Sequence, residues 1–160
     1  MAWSLLFLVL FLLGALQLAA WYSRGQLPPS GLVEGRLRAC PETPNCVCSE
    51  PGGAPGAQRI APLDFGTVGA AAAWRALQQA VGEAGGVLRV SDDGYLAATF
   101  RTRWLGFSDD LEARFDPAAA VLHLRSASRV GHSDFGANRR RVERLARRYA
   151  ELLQQGGSGG

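Results

Sequence analysis

Residues 95–129, YLAATFRTRWLGFSDDLEARFDPAAAVLHLRSASR, form three runs of alternating apolar and polar side chains, with short turns between them. Such alternation is typical of β-strands that bury one face. The run GVLRVS at residues 86–91 adds a fourth strand just before them. Because short turns join consecutive strands into hairpins, the sequence predicts a four-stranded antiparallel meander.

The apolar residues fix an expected register for this sheet. They share one face when Trp104 pairs with Phe107 and Phe115 pairs with Ala120. The opposite face then carries Asp110 between Arg101 and Arg125. We interpret this row as an ion network that fixes the register, with an anion pocket as the alternative. The predicted apolar face comprises Leu88, Val90, Leu96, Ala98, Phe100, Leu111, Ala113, Phe115, Leu122 and Leu124.

Two amphipathic helices flank the predicted sheet. The first lies near residues 68–83, with a stripe of Ala70, Ala73, Trp74, Leu77 and Val81. The second begins near Ala137, with a stripe of Val142, Leu145, Tyr149 and Leu152. Both stripes must be buried on the one apolar sheet face, so the predicted fold is an α+β domain over residues 67–154. Residues 155–160 are expected to be a flexible tail.

The N-terminus predicts a transmembrane helix. Residues 1–22, MAWSLLFLVLFLLGALQLAAWY, contain no charged side chain, and about 20 apolar residues span a bilayer core. Trp3, Trp21 and Tyr22 lie at its ends, as interfacial aromatic residues do. A cleaved signal peptide is the alternative, although a cut after Ala20 would place Leu18 where a small residue is preferred. We expect an uncleaved anchor.

Residues 23–66 are rich in glycine and proline and predict a linker with a cysteine loop. The three cysteines lie in ACPETPNCVCSE at residues 39–50. The spacing of Cys40 and Cys46 suits a small disulfide loop and leaves Cys48 over; free thiols and a thiolate metal site are the alternatives. Three cysteines without a nearby histidine fall short of a zinc set, so no metal is predicted.

Two features of the sequence disagree about which side of the membrane the domain faces. Arg24, Arg36 and Arg38 follow the predicted span, and the positive-inside rule then favours the cytoplasm. A disulfide favours an oxidising compartment instead.

A polar segment, RSASRVGHSDFGANRRR at residues 125–141, joins the last strand to the second helix. Its serine, aspartate and asparagine side chains can cap that helix. Its arginines oppose the helix dipole, so an anion is expected between Arg129 and Arg139, either Asp109 or Asp134 or a bound ligand. The candidate ligand-binding residues are Ser126, Ser128, Arg129, Ser133, Asp134, Asn138, Arg139, Arg140 and Asp109.

Signals for catalysis are weak. Asp109 and Asp110 are neighbours on a strand, so they point to opposite faces and form no carboxylate dyad. The sequence contains no cofactor-binding glycine motif, and we predict no cofactor. A domain held at a membrane is also a poor setting for a nucleic-acid partner.

Three blocks resemble the family called domain of unknown function 1499: residues 40–50, 95–116 and 125–143. The similarity runs from about Cys40 to Leu153. The family pattern Cys-Pro-x-x-Pro-Asn-Cys-Val-Ser matches from Cys40 to Val47, whereas Cys48 stands where serine is usual. The resemblance thus supports Cys40 and Cys46 as the disulfide pair. Similar proteins often carry a membrane segment or export signal, which implies an extracytoplasmic domain; the resemblance implies no activity.

The sequence therefore predicts a membrane-anchored envelope domain. We expect a non-catalytic binding or accessory module for an anionic small molecule or lipid headgroup, with the membrane contacted through residues 1–22. A small enzyme that uses Asp109, Asp134 or a cysteine near an arginine- and serine-rich pocket is the alternative.

Overall fold

The computed structural model describes residues 2–28, 31–92 and 94–157. Helix α1 spans Ala2–Gly25, and β1 (Cys46–Cys48) and β2 (Leu63–Asp64) flank a 3-10 turn at Gly56–Gln58. The remaining elements are α2 (Ala70–Glu83), β3 (Val87–Asp92), β4 (Tyr95–Arg101), β5 (Ser108–Asp116), β6 (Val121–Ser128) and α3 (Ala137–Gly157). Helix α3 thus continues into the predicted tail, whose residues 158–160 lie outside the described residues.

The antiparallel meander of β3 to β6 is confirmed, but the predicted number of four strands is too low. Within the described residues, the sheet has six strands in the order β1-β6-β5-β4-β3, with β2 also paired to β6. Both added strands come from the segment predicted to be a linker. They contain three and two residues, which is too short for an alternating pattern to be recognised.

The predicted register is wrong by two residues in two hairpins. Phe100 lies opposite Asp109, and Phe115 lies opposite Leu122. The β4–β5 connection is a wider loop, closed by a hydrogen bond from the Thr102 amide to the Phe107 carbonyl. A slip of two residues keeps every side chain on its face. It nevertheless changes the cross-strand partners.

The predicted row of Arg101, Asp110 and Arg125 is therefore wrong. Asp110 lies opposite Thr99 and Ala127 instead. Arg125 lies opposite Glu112, and Arg101 is exposed at the end of β4.

Helices α2 and α3 pack on one face of the sheet, as predicted. A bulge between Leu88 and Val90 turns Val90 to the opposite face, where it packs against Tyr95 and Ala97, and Leu88 is exposed. The other residues of the predicted apolar face form the core with the helices; the largest fully buried apolar side chains of this core are Leu77, Val81, Leu96, Leu111, Leu122, Leu124 and Leu145.

The face of the sheet away from the helices is also covered. Residues 26–28 and 31–45, here called the covering segment, run from the end of α1 to β1. Leu37 of this segment is buried against Tyr95 and Ala97, and its amide donates to Oε1 of Glu50. The charged side chains Asp110, Glu112 and Arg125 of this face are consequently buried, whereas the sequence pattern indicates an open, solvated face.

The expected disulfide is present. Cys40 and Cys46 are bonded, with their Cα atoms 5.6 Å apart, and Cys48 is a buried free thiol. Burial raises the pKa of the Cys48 thiol, and a thiol reacts as a nucleophile mainly in its deprotonated form.

Thiol counting tests this arrangement. We expect native, non-reduced protein to resist alkylation, because Cys48 is buried and protonated. Denatured protein should take up one alkyl group without reductant and three with it, as measured by intact-protein mass spectrometry. Three alkylations of denatured protein without reductant would contradict the Cys40–Cys46 bond.

Candidate functional site

Charged side chains cluster on the sheet face that lies under the covering segment. Asp110 and Glu112 of β5 and Arg125 of β6 are 4%, 0% and 8% exposed. A buried charge is costly unless it is paired and hydrogen-bonded. The partners of each group therefore determine whether any of them remains available to a ligand.

Asp110 is fully engaged by its neighbours. The Arg129 guanidinium donates through Nε to Oδ2 at 2.7 Å and through Nη2 to Oδ1 at 2.8 Å. The Thr99 hydroxyl adds a hydrogen bond to Oδ1 at 3.1 Å. A third guanidinium nitrogen of Arg129 donates to the Gln26 carbonyl, just beyond the end of α1. Arg129 thus ties the start of the covering segment to the sheet.

Glu112 is the centre of a second group. Nη1 of Arg125 donates to Oε2 at 2.8 Å, and the Tyr95 hydroxyl donates to Oε1 at 2.9 Å. Burial and the Glu112 carboxylate raise the pKa of Tyr95. Tyr95 therefore stays a neutral hydrogen-bond donor at physiological pH.

Glu50 forms a third group with Arg114. Nε and Nη2 of Arg114 donate to its two carboxylate oxygens at 2.6 and 3.1 Å. Burial opposes ionisation of Glu50, but the Arg114 and Leu37 hydrogen bonds outweigh it and lower the pKa of the carboxyl. This carboxylate is thus ionised at neutral pH and holds the covering segment through the Leu37 amide.

A cavity of about 280 Å³ opens beside the first two groups. Its polar wall contains three arginines, of which Arg38 comes from the covering segment; the lining is Leu27, Pro28, Arg38, Asp110, Arg125, Ala127, Ser128 and Arg129. Nε of Arg125 is buried and has no hydrogen-bond partner among the described residues. A buried donor without a partner costs about 1–3 kcal/mol, and Arg125 also lines the cavity, so this side chain is a candidate contact for a ligand.

A separate polar cluster lies on the helix face, at the start of α3. Asp109 is buried there and accepts a hydrogen bond from Nη2 of Arg141. Nη1 of Arg141 donates to Oδ1 of Asn138, which also accepts from the Ser126 hydroxyl. The side-chain Nδ2 of Asn138 donates to Oγ of Ser128 and to the Asn45 backbone carbonyl. Internal partners thus satisfy this cluster.

Of the other predicted site residues, Asp134 joins this cluster, because its Oδ2 accepts from Nδ2 of Asn138 at 2.8 Å. Asp134 caps α3 by accepting from the Gly136 and Asn138 amides at 2.9 and 2.8 Å. Ser133 and Arg140 instead bond to the backbone of Phe135: Ser133 accepts from its amide, and Arg140 donates to its carbonyl.

The expectation that Arg129 and Arg139 approach one shared anion is wrong. Arg129 extends from the end of β6 to Asp110 on the covered face. Arg139 instead donates to the carbonyls of Ala57 and Arg59.

Arg141 is a central residue that the sequence reasoning missed as a site residue. Its signal is spacing: Arg141 lies three residues after Asn138 and four before Leu145, on the buried stripe of α3. A cation there needs a partner, as Asp109 does on the apolar face of β5. Arg38 and Glu50 were missed because they belong to a segment without periodicity.

The residues considered for catalysis have structural roles. Asp109 pairs with Arg141, Asp134 caps a helix, and Cys48 is buried with a raised pKa. Cys40 and Cys46 are consumed by the disulfide. Over the described ranges, no group of three or more histidine, cysteine, aspartate or glutamate side chains is arranged to hold a metal ion.

Comparison with known proteins adds a family. The model of the family described as "Protein of unknown function (DUF1499)" matches residues 36–148. The match includes the covering segment from Arg36, the whole sheet and most of α3. No curated protein matches the chain.

Proposed function

Because the chain belongs to the DUF1499 family, whose description assigns no activity, we propose a function from the geometry: a membrane-anchored, non-catalytic module that binds a phosphate-bearing anion. The ligand is a lipid headgroup or a free phosphate compound, and it occupies the cavity beside Arg125. Helix α1, long and apolar enough over Trp3–Gly25 to cross a membrane, is the proposed anchor.

The unpartnered Nε of Arg125 is the observation that carries this proposal. The Arg125 side chain is about nine-tenths buried, and its guanidinium already uses Nη1 for Glu112. Arg125 lines the cavity, so a small rotation of its guanidinium would let Nε donate to an anion bound there and remove the cost of the unmet donor. Phosphate suits the site because its several oxygens can accept from more than one guanidinium.

The charge of the cavity wall also favours an anion. Asp110 neutralises Arg129, and Glu112 neutralises Arg125. Arg38 is exposed and has no ion-pair partner among the described residues, so it leaves one net positive charge at the cavity mouth. The wall therefore attracts an anion without needing to release an internal salt bridge.

The position of the cavity supports a ligand near the membrane. Leu27 and Pro28 line it, and they follow α1 by two and three residues. We place the domain on the extracytoplasmic side, because a disulfide persists in an oxidising compartment.

Substitution of Arg38 tests the proposal. In detergent-solubilised full-length protein, inorganic phosphate is expected to raise the melting temperature above that in chloride of equal ionic strength. Ligand at a hundred times Kd adds about 2.7 kcal/mol to the free energy of unfolding. Arg38→Gln should abolish most of this shift while leaving the ligand-free melt unchanged, because Arg38 is exposed.

Arg36→Gln is the matched control, since it removes the same charge two residues away from an exposed position outside the cavity wall. A parallel series in nanodiscs with anionic or neutral phospholipid distinguishes a headgroup from a free phosphate. The proposal fails if neither phosphate nor anionic lipid stabilises the wild type. Equal stabilisation of Arg38→Gln and Arg36→Gln would exclude this cavity as the site.

A further inference from the structure

The end of α1 is attached to one end of the sheet. The Ser108 amide donates to Oγ of Ser23 at 2.8 Å, and Nη1 of Arg24 donates to the Gly106 carbonyl at 3.4 Å. Ser23 is completely buried by this contact. Since about 20 residues cross the hydrocarbon core, a helix that enters at Trp3 leaves it near Ser23. With α1 as the proposed anchor, on which this inference rests, the adjoining end of the sheet lies at the membrane surface.

Two loops at this same end expose large aromatic side chains. Trp104, in the loop between β4 and β5, is 86% exposed, and Phe135, in the loop before α3, is 88% exposed. The two loops enclose a mainly apolar cavity of about 400 Å³, whose wall includes Leu105 and Val130. Single exposed apolar residues need no explanation, but two aromatic tips around one apolar cavity indicate an interaction surface.

The backbone at Phe135 supports this interpretation. Phe135 has φ = 50°, a left-handed conformation that is unusual for a bulky residue. Such strain persists where the surrounding structure holds it and is concentrated at functional positions. Here the Arg140 side chain binds the Phe135 carbonyl at 2.8 Å, and the ring is presented to the outside.

Cations surround the aromatic tips. The Arg103 guanidinium lies 5.5 Å from the centroid of the Trp104 ring, and Arg24 binds the same loop. Aromatic rings with neighbouring arginines are typical of protein surfaces at membrane interfaces. The ring enters the headgroup layer, and the cation contacts the lipid phosphate.

We propose that the Trp104 and Phe135 loops insert into the headgroup layer of an anionic bilayer beside the exit of α1. This surface goes beyond the phosphate site, because it engages the bilayer through apolar side chains and needs no ligand in the Arg125 cavity. The attachment of α1 to Ser108 fixes its position, so the occupant is the membrane rather than a second copy of the chain.

Quenching by brominated lipid tests the proposal in full-length protein in nanodiscs that contain phosphatidylglycerol. Trp104 is left as the single tryptophan by the changes Trp3→Phe, Trp21→Phe and Trp74→Phe. The control chain retains Trp74 instead, which lines a separate cavity with Gly94 and Phe115 at the opposite end of the sheet. We expect lipids brominated near the headgroup to quench Trp104 at least threefold more than Trp74, and Phe135→Ser to reduce that quenching.

Equal, weak quenching of Trp104 and Trp74 would overturn the proposal. A blue-shifted Trp104 emission that bromine does not quench would also overturn it, because a second protein copy would then cover the surface. A measurement on the otherwise wild-type chain guards against misfolding of the single-tryptophan forms: Trp104→Phe should remove a quenchable component, and Trp74→Phe should not. The phosphate melts are independent of these readings, so the two proposals fail separately.

Discussion

Replacing Arg141 by methionine is expected to lower the free energy of unfolding by about 3–5 kcal/mol, as is typical when one partner of a buried ion pair is removed. Asp109 would be left in the core without its cation. Asn138 and Ser126 would lose the guanidinium that joins them. The Arg141 guanidinium also lies 4.7 Å from the centroid of the Phe100 ring, so part of its packing would disappear.

Arg140→Met is the control, because Arg140 is the preceding residue, is exposed and binds only a backbone carbonyl among the described residues. It should cost no more than about 1 kcal/mol. Urea unfolding followed by circular dichroism gives both values. The double change Asp109→Leu with Arg141→Met should recover much of the loss, because no charge then remains unpaired. Similar small losses for Arg141→Met and Arg140→Met would contradict the ion pair.

The second large effect is expected for Arg129→Ala, at about 3–5 kcal/mol, since Asp110 would lose both guanidinium hydrogen bonds in a buried position. The Gln26 carbonyl would lose its donor as well. Release of the covering segment should accompany this loss, because Arg129 holds its first residue. Faster hydrogen exchange across residues 31–38 in the native state would report that release.

Arg139→Ala provides the comparison, because Arg139 is partly exposed and donates to two backbone carbonyls. Its expected cost is about 1 kcal/mol. Adding Asp110→Asn to Arg129→Ala should restore part of the stability by removing the unpaired charge. If Arg129→Ala and Arg139→Ala had equal effects in both urea unfolding and hydrogen exchange, the pairing of Arg129 with Asp110 would be wrong.

In β4, β5 and β6, the sequence alone predicts which face of the sheet each side chain occupies, whereas the bulge in β3 turns Val90 to the face opposite the predicted one. Asp109 and Asp110 are consecutive strand residues, so alternation sends one towards the helices and the other away. The structure bears this out, with Arg141 on one carboxylate and Arg129 on the other. The partners were not predictable from the strands, because loop geometry sets the register and a shift of two residues leaves the apolar pattern unchanged.

The covered polar face is the part that sequence patterns could not reveal. Periodicity identifies strands and helices, whereas Leu37 and Arg38 belong to an irregular segment that packs on the sheet through tertiary contacts. Without that cover, alternating charges such as Glu112 and Arg125 have the pattern of a solvated surface. The candidate cavity is lined by side chains of both the covering segment and the sheet. The sequence pattern of the sheet alone therefore does not indicate it.

The place of β6 in the sheet has a consequence for how the chain is made. Strand β6 pairs with β1, β2 and β5. During translation, β1 and β2 therefore remain unpaired until β6 has been synthesised. Ser49 and its partner Leu124 are 75 residues apart, and synthesis at about 5–20 residues per second makes that wait roughly 4–15 s. The Cys40–Cys46 loop can close within this interval, before the strand beside it has a partner. A nascent chain interrupted before residue 121 therefore lacks the pairing edge for three strands and is expected to remain a substrate for chaperones and proteases.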